Sequence, residues 1–322
     1  MKRITSMGGG TGTFVVLSGL KQHDVDLGVI VNMMDSGGST GRLRVQLGVL
    51  PPGDIRQCFV ALSEAPDLWR RLFLYRFENG DLEGHNFGNI FISALEKVSK
   101  NYDEVLETAG FVLKTKGKVL PVTHEKTHLC VEYENGKIVK EEASIDENFH
   151  EESRIKKAFL EPQVSAYPSA IKRVLDSDMI VIGPGDLYTS IVPLFLVDGM
   201  KEALQTTKAK LVYVVNLMTK SGQTSHYLAQ DHVDDIEKYI GRPLDNIIMH
   251  NGEIDEHIVQ WYTSHNEQKV KDDMINDRRV VRVDIADNTA VSADKADKIA
   301  AYARSILRHD SSKLANVIMS LL

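Results

Sequence analysis

The sequence predicts an α/β protein with a Rossmann-like, mostly parallel sheet and helices on both faces. Three observations predict it. Short runs rich in Val and Ile alternate with longer amphipathic runs, which is the pattern of strand–helix units feeding a covered parallel sheet. The apolar runs stop at Gly, Asn or Asp, residues that end strands and open loops. With 322 residues, 43% hydrophobic and 26% charged, the chain is long enough to bury a large core.

The strands are expected at Arg3–Met7, Leu27–Asn32, Met179–Gly183, Leu211–Asn216, Asn246–His250 and Val280–Asp284. Between the second and third lies a different texture, with helices expected at Ile55–Ser63, Asp67–Phe77, Phe87–Ser99 and Tyr102–Leu113. Thr127–Tyr133 and Lys137–Glu142 flank Glu134-Asn135-Gly136, and Asn-Gly between β-prone arms signals a hairpin. A further strand is expected near Arg154–Leu160, and helices over 293–307 and 313–322. The segment 255–278 is polar and carries no clear periodicity. The expectation is one domain over 1–322, with residues 53–160 forming a helical layer and hairpin inserted within it.

Charge excludes several functions. The chain has 38 Lys+Arg against 45 Asp+Glu, a net charge of −7, so no global basic field exists to hold nucleic acid or an anionic membrane. Any anion must be bound locally. Cys58 and Cys130 are the only cysteines and sit in apolar stretches, which argues against a disulfide framework or zinc site and fits a reducing cytoplasm. No signal-like leader and no run of about 18 apolar residues is present.

Five segments carry candidate chemistry. Gly8-Gly9-Gly10-Thr11-Gly12 follows the first strand and opens an apolar-periodic run, so its backbone can approach a phosphate at a helix N-terminus. The dinucleotide fingerprint Gly-x-Gly-x-x-Gly is incomplete there, which disfavours an NAD-type oxidoreductase. Asp35-Ser36-Gly37-Gly38-Ser39-Thr40-Gly41-Arg42-Leu43-Arg44 joins a carboxylate and hydroxyls to two forked donors suited to phosphate, Arg42 and Arg44. Asp35 has three available roles: holding a ribose hydroxyl, binding Mg²⁺, or accepting the proton of an attacking hydroxyl. In Pro51-Pro52-Gly53-Asp54-Ile55-Arg56, Asp54 reads as an N-cap, while Arg56 opposes the helix dipole and so implies an anionic partner or solvent exposure.

Gly84-His85-Asn86-Phe87-Gly88-Asn89 opens another helix, with His85, Asn86 and Asn89 placed to converge on a ligand. In Gly183-Pro184-Gly185-Asp186-Leu187-Tyr188-Thr189-Ser190, Gly183 and Gly185 free the backbone, and Thr189 or Ser190 reads as a cap for the next helix. Asn216 ends another strand at the same expected rim. A capped or solvated turn is the plainer reading of any one of these loops. Their convergence on the carboxyl edge of one parallel sheet favours a ligand crevice. By contrast, Asp231-His232 and Asp234-Asp235 read as a solvated helix start.

In order and spacing, Gly8–Gly12, Asp35–Arg44, Pro51–Arg56, Gly84–Asn89 and Gly183–Ser190 resemble the CofD-like superfamily, most closely its bacterial YvcK-type gluconeogenesis factors. The resemblance implies a Rossmann-like sheet with a helical insertion, a cytoplasmic location and a homo-oligomer. It also implies one of two functions. The archaeal relatives are 2-phospho-L-lactate transferases, which move a phospholactyl group onto a deazaflavin hydroxyl with Mg²⁺ assisting. The bacterial branch implies binding of UDP-N-acetylglucosamine, control of carbon flow toward cell-wall precursors through a regulated enzyme partner, and maintenance of cell shape. Where many members show an acidic pair after the second strand, this chain has Asp35-Ser36, which weakens the transferase reading. No cofactor is otherwise called for.

Overall fold

Seven parallel strands form the main sheet, and their composition explains their position. Asp26–Val31 (β2), Met179–Ile182 (β7), Lys210–Val214 (β8) and Asn246–His250 (β9) are mainly apolar and buried, as strands covered on both faces must be, and Arg3–Gly8 (β1) is equally buried although it carries Thr5 and Ser6. Lys118–Pro121 (β3) and Val280–Val283 (β10) are the edges, and the order is β10-β9-β8-β7-β1-β2-β3. The computed structural model describes residues 1–287 and 306–322. The helix expected over 293–307 falls, up to residue 305, outside those residues.

Strand order reverses between β1 and β7, which pair in parallel through Ile4–Met7 and Met179–Ile182. Chain direction therefore puts the loops after these two strands side by side at the carboxyl edge. Gly10–Leu20 (α1) follows β1, and Gly38–Leu47 (α2) and Pro52–Leu62 (α3) follow β2. Asp67–Leu74 (α4), Phe87–Val98 (α5) and Tyr102–Leu113 (α6) complete the expected helical layer. This layer is not one insertion, because the chain returns to the main sheet as β3 before leaving again. The four residues of β3 escape sequence reading: the strand ends in Pro121 and begins at an exposed lysine.

His128–Tyr133 (β4), Ile138–Lys140 (β5) and Ile155–Glu161 (β6) form the second sheet, with Glu142–Asp146 (α7) between β5 and β6. Gly136 turns the hairpin at φ +84, and its N–H donates to the Tyr133 carbonyl at 2.9 Å. Pro168–Leu175 (α8), Val192–Phe195 (α9), Met200–Thr206 (α10) and Ala229–Ile240 (α11) connect β6 through β9. The polar segment 255–278 holds a helix, Glu256–Ser264 (α12). Ala286–Asp287 (β11) and Arg308–His309 (β12) pair antiparallel, and Ser311–Ser320 (α13) closes the chain. One buried core runs through both larger sheets, and a small cluster of Leu217, Met218, Ile258, Tyr262, Ala286 and Leu307 sits apart from it. Both cysteines are buried and unpaired, and among the described residues no helix is long and apolar enough to cross a membrane.

The end of the sheet opposite the loops is tied by charge. Arg173 is buried and donates to Thr5 Oγ1 at 2.8 Å, Asp26 Oδ1 at 2.7 Å and the Asp26 carbonyl at 2.6 Å. Burial pushes the Asp26 carboxyl up, but hydrogen bonds from Arg3 and Arg173 outweigh it and hold the carboxyl below its usual value. The contribution of Asp26 is therefore complete above the unfolded carboxyl range, about pH 4, and is lost as pH falls through the folded value. Urea unfolding across acid pH is expected to show a shallower loss of stability for Asp26→Asn than for the wild type. Identical acid limbs would contradict this.

Candidate functional site

The loops at the carboxyl edge enclose a cleft of about 490 Å³ at the switch point between β1 and β7. Three helices begin on its wall. The N-cap residues of α1, α2 and α3 are Gly9, Gly37 and Pro51, and none of them supplies a side-chain cap. The first N–H groups of a helix have no intrahelical acceptor and lie at its positive dipole end, so three such ends on one cleft favour an anion.

Close packing fixes the first of them. A methyl on Gly12 would overlap the Pro184 carbonyl, so the first turn of α1 can lie against the loop after β7 only with glycine there. Gly9 and Gly10 bring the backbone beside Ser190, Asp54 and Gln57, and Thr11 and Gly12 line the cleft with them. Gly8 and Gly183 do not line it; Gly8 ends β1, and Gly183 takes φ +71 to begin the next loop.

Amides hold the far loop. Asn216 Oδ1 accepts from the Gly185 N–H at 3.0 Å and its Nδ2 donates to the Gly185 carbonyl at 2.8 Å. Asn32 Nδ2 donates to the Thr189 carbonyl at 2.9 Å, which ties the end of β2 to the same loop. Leu187–Ile191 forms a π-helical turn, so Thr189 and Ser190 lie inside it and cap nothing. Gly185, Asp186, Thr189, Ser190 and Asn216 face the cleft, but Tyr188 turns away. Its hydroxyl donates to Asp235 Oδ2 at 2.6 Å, as does that of Tyr227 at 2.8 Å. Asp235 is thus an internal acceptor rather than part of a solvated face, and burial drives the Tyr188 phenol far above its ordinary value. His232 is also fully buried, and desolvation lowers its pKa to about 4, so it is neutral.

The segment after β2 divides. Asp35, Gly37 and Gly38 line the cleft, with the Gly37 N–H donating to Asp35 Oδ1 at 2.9 Å. The expected loop is helical from Gly38, which carries both arginines away from a ligand. Arg44 donates to the carbonyls of Asp35 at 2.8 Å and Thr127 at 3.1 Å, and Arg42 donates to the carbonyl of Glu83 at 2.9 Å. Ser36 instead fastens the second sheet: its N–H donates to Glu142 Oε2 at 3.3 Å and its Oγ accepts from the Ala143 N–H at 3.0 Å.

Asp54 lies in the first turn of α3 and lines the cleft, while the N-cap is Pro51. Arg56 also reaches the cleft but is buried rather than solvated, with Nε donating to Asn89 Oδ1 at 2.8 Å. Asn86 caps α5, accepting from the Asn89 N–H at 3.2 Å, and His85 Nδ1 meets Ser39 Oγ at 3.2 Å behind the wall. Burial, and then Arg42 and Arg76, lower the His85 pKa.

Of the opposite wall, only Thr219, in the polar stretch that ends the fourth expected strand, was visible in the sequence. Lys220, Tyr262, Glu267, Arg308 and His309 come from segments that carry no motif. Burial disfavours the Lys220 ammonium, but Asp186 and Glu267 outweigh it, and Lys220 Nζ lies 3.3 Å from Glu267 Oε1. Burial lowers His309 to about 4. Magnesium can be tested against this donor set. Asp35 and Asp54 line one cleft, and Gly53 lacks the Cβ that would stand 2.7 Å from Asp35 Oδ2. Among the described residues no three His, Cys, Asp or Glu form a metal cluster. Two carboxylates suit a Mg²⁺ ion that shares its coordination with ligand phosphates and water, not a closed protein cage.

Comparison with known proteins agrees with the geometry. The family model described as 2-phospho-L-lactate transferase CofD matches residues 4–291. A putative gluconeogenesis factor of Aquifex aeolicus is 37% identical, covering 99% of this chain and 96% of the relative. The gluconeogenesis factor of Bacillus subtilis is also 37% identical, covering 99% and 98%. The crystal structure of a UPF0052 family member from Bacillus halodurans superposes with a TM-score of 0.89 at 34% identity, covering 99% of this chain and all of that one. With the switch-point cleft and its glycine loops in place, the chain belongs to the CofD family, on the branch of the gluconeogenesis factors.

Proposed function

We propose that this chain is a regulatory protein that binds a nucleotide sugar of the UDP-N-acetylglucosamine type and links carbon metabolism to cell-wall precursor supply and cell shape. The observation that carries the reading is the meeting of three uncapped helix N-termini with the Asn216-clamped Gly185 loop. The first-turn N–H groups of these helices offer donors to a diphosphate without a basic field, in keeping with the net charge of −7, while the Gly185 amide stays bonded to Asn216 and shapes the loop beside them. Asp35 accepts a ligand hydroxyl. Binding requires no turnover, and the output passes to a regulated enzyme partner in the cytoplasm from a homo-oligomeric protein.

A second reading is favoured by Asp54. Beside Asp35 it supplies the carboxylate that Ser36 fails to provide. The pair would hold Mg²⁺, which neutralises diphosphate charge, in a transferase of phosphorus-containing groups like the family's phospholactate transferases. Calorimetric titration with UDP-N-acetylglucosamine, GDP and NAD, each with and without Mg²⁺, separates the two. Metal-independent binding of the nucleotide sugar alone, at about micromolar Kd, is expected. Preference for GDP with strict Mg²⁺ dependence would replace the regulatory reading by the transferase one.

A further inference from the structure

Arg56 is a cation whose charge the fold leaves poorly compensated. It is 7% exposed, yet its hydrogen-bond partners are neutral: Nε donates to Asn89 Oδ1 at 2.8 Å and Nη1 to the Phe73 carbonyl at 3.3 Å. Among the described residues no carboxylate forms an ion pair with it; Asp54 and Asp35 act only at longer range. Arg76 makes matters worse. This second guanidinium lines the same cleft, repels Arg56, and donates from Nη1 to the neutral Gly84 carbonyl at 2.6 Å. Burying a guanidinium without a counter-charge is unfavourable, and setting another beside it adds to the cost.

The surroundings are nevertheless built to keep Arg56 in place. A methyl on Gly88 would stand 2.7 Å from Arg56 Cδ and 2.7 Å from the Phe73 carbonyl, so glycine there makes room for the arginine stem. Asn89 Nδ2 donates to Ser39 Oγ at 3.3 Å, which turns its oxygen toward Arg56. This wall rises from α3, α5 and the segment before α5. The diphosphate cradle uses the N-termini of α1, α2 and α3 and touches α3 only at its first turn, ahead of Arg56. An N-acetylglucosamine ligand has no negative group to bring to the arginines.

We propose that Arg56 and Arg76 form a second anion subsite of the cleft, which takes the carboxylate or phosphate of a small metabolite bound beside the nucleotide ligand. This rests on the reading of the cleft as a nucleotide site, and makes the protein responsive to two ligands. Arg56 supplies a fixed donor edge inside the wall, and the half-buried Arg76 closes over the anion from the mouth.

The test is titration of malonate and of inorganic phosphate into the protein, free and saturated with UDP, at constant ionic strength. Saturable binding of at least one anion is expected in both states. Arg76→Gln should weaken it about tenfold or more, with UDP affinity within about threefold of the wild type. Arg76→Lys, which retains charge but not the planar fork, should fall between, and it serves in place of Arg76→Gln if that variant melts without cooperativity. Anion binding that UDP abolishes, or that both Arg76 variants leave intact, overturns the second subsite and leaves the nucleotide reading standing. Failure of UDP to bind, with Arg76-dependent anion binding retained, refutes the nucleotide reading and supports the arginine subsite.

Discussion

Alanine at Gly12 is expected to abolish binding of the nucleotide ligand and to destabilise the protein by about 2 kcal/mol or more, the scale of overpacking a close-packed site. The added methyl overlaps the Pro184 carbonyl, a backbone atom that cannot swing aside. Either α1 tilts or the loop after β7 retreats, and in both cases the two halves of the cradle separate. Gly10→Ala provides the contrast. Its methyl would meet Gln57 Nε2 at 2.5 Å and Asp54 Oδ1 at 2.6 Å, the ends of flexible side chains. That variant should fold with a nearly unchanged melt and lose affinity, and Gly10→Val should lose binding altogether while still melting cooperatively. Calorimetry together with thermal unfolding reads both properties. A Gly12→Ala protein with wild-type affinity and melting temperature would remove the α1 turn from the site.

The second large effect lies at the other end of the sheet. Arg173→Ala is expected to cost about 3 kcal/mol, because it removes one of the two arginines on Asp26 and a donor from buried acceptors. Four acceptors lose a donor: Thr5 Oγ1, the Ile4 carbonyl, and the carboxylate and carbonyl of Asp26. The fold leaves space for this side chain, since a methyl on Gly28 would stand 2.7 Å from Arg173 Nε. These residues begin the strands whose opposite ends carry the cleft, so nucleotide affinity of the folded variant should be unchanged. Urea unfolding at neutral pH gives the stability change. A midpoint equal to that of the wild type would show that Arg3, already bonded to Asp26 Oδ2 at 2.8 Å, suffices to hold that carboxylate.

The central strands were legible because burial on both faces demands apolar runs, and β2, β7, β8 and β9 have them, while β1, interrupted by Thr5 and Ser6, was marked by the glycine cluster that follows it. The rim followed from parallel order, which sends every strand's last residue to one edge. Helix α2 was not legible. It is rich in Ser, Gly and Arg, and only Ser39, Thr40 and Leu43 are buried, so its sequence has the texture of a loop. The roles of Arg42 and Arg44 were hidden for a chemical reason, since a guanidinium binds backbone carbonyls with the same fork that binds phosphate. Tyr188 sits among cleft residues in sequence, but the π-helical turn points it toward Asp235, a partner 47 positions away. Asp54 has the residue type of an N-cap, yet Pro51 takes that place and Asp54 lines the cleft. The rest of the far wall, from Lys220 to His309, is assembled by the loop after β8, by α12 with the loop after it, and by β12, and no local pattern announces such long-range assembly.

Amide hydrogen exchange with and without saturating UDP-N-acetylglucosamine interrogates the cradle itself. If helix N-termini hold the diphosphate, exchange at Gly10–Gly12 and Gly38 slows about tenfold or more when ligand is bound, while amides near Arg173 do not change. Exchange at those glycines that stays at its ligand-free rate in saturated protein would place the diphosphate elsewhere.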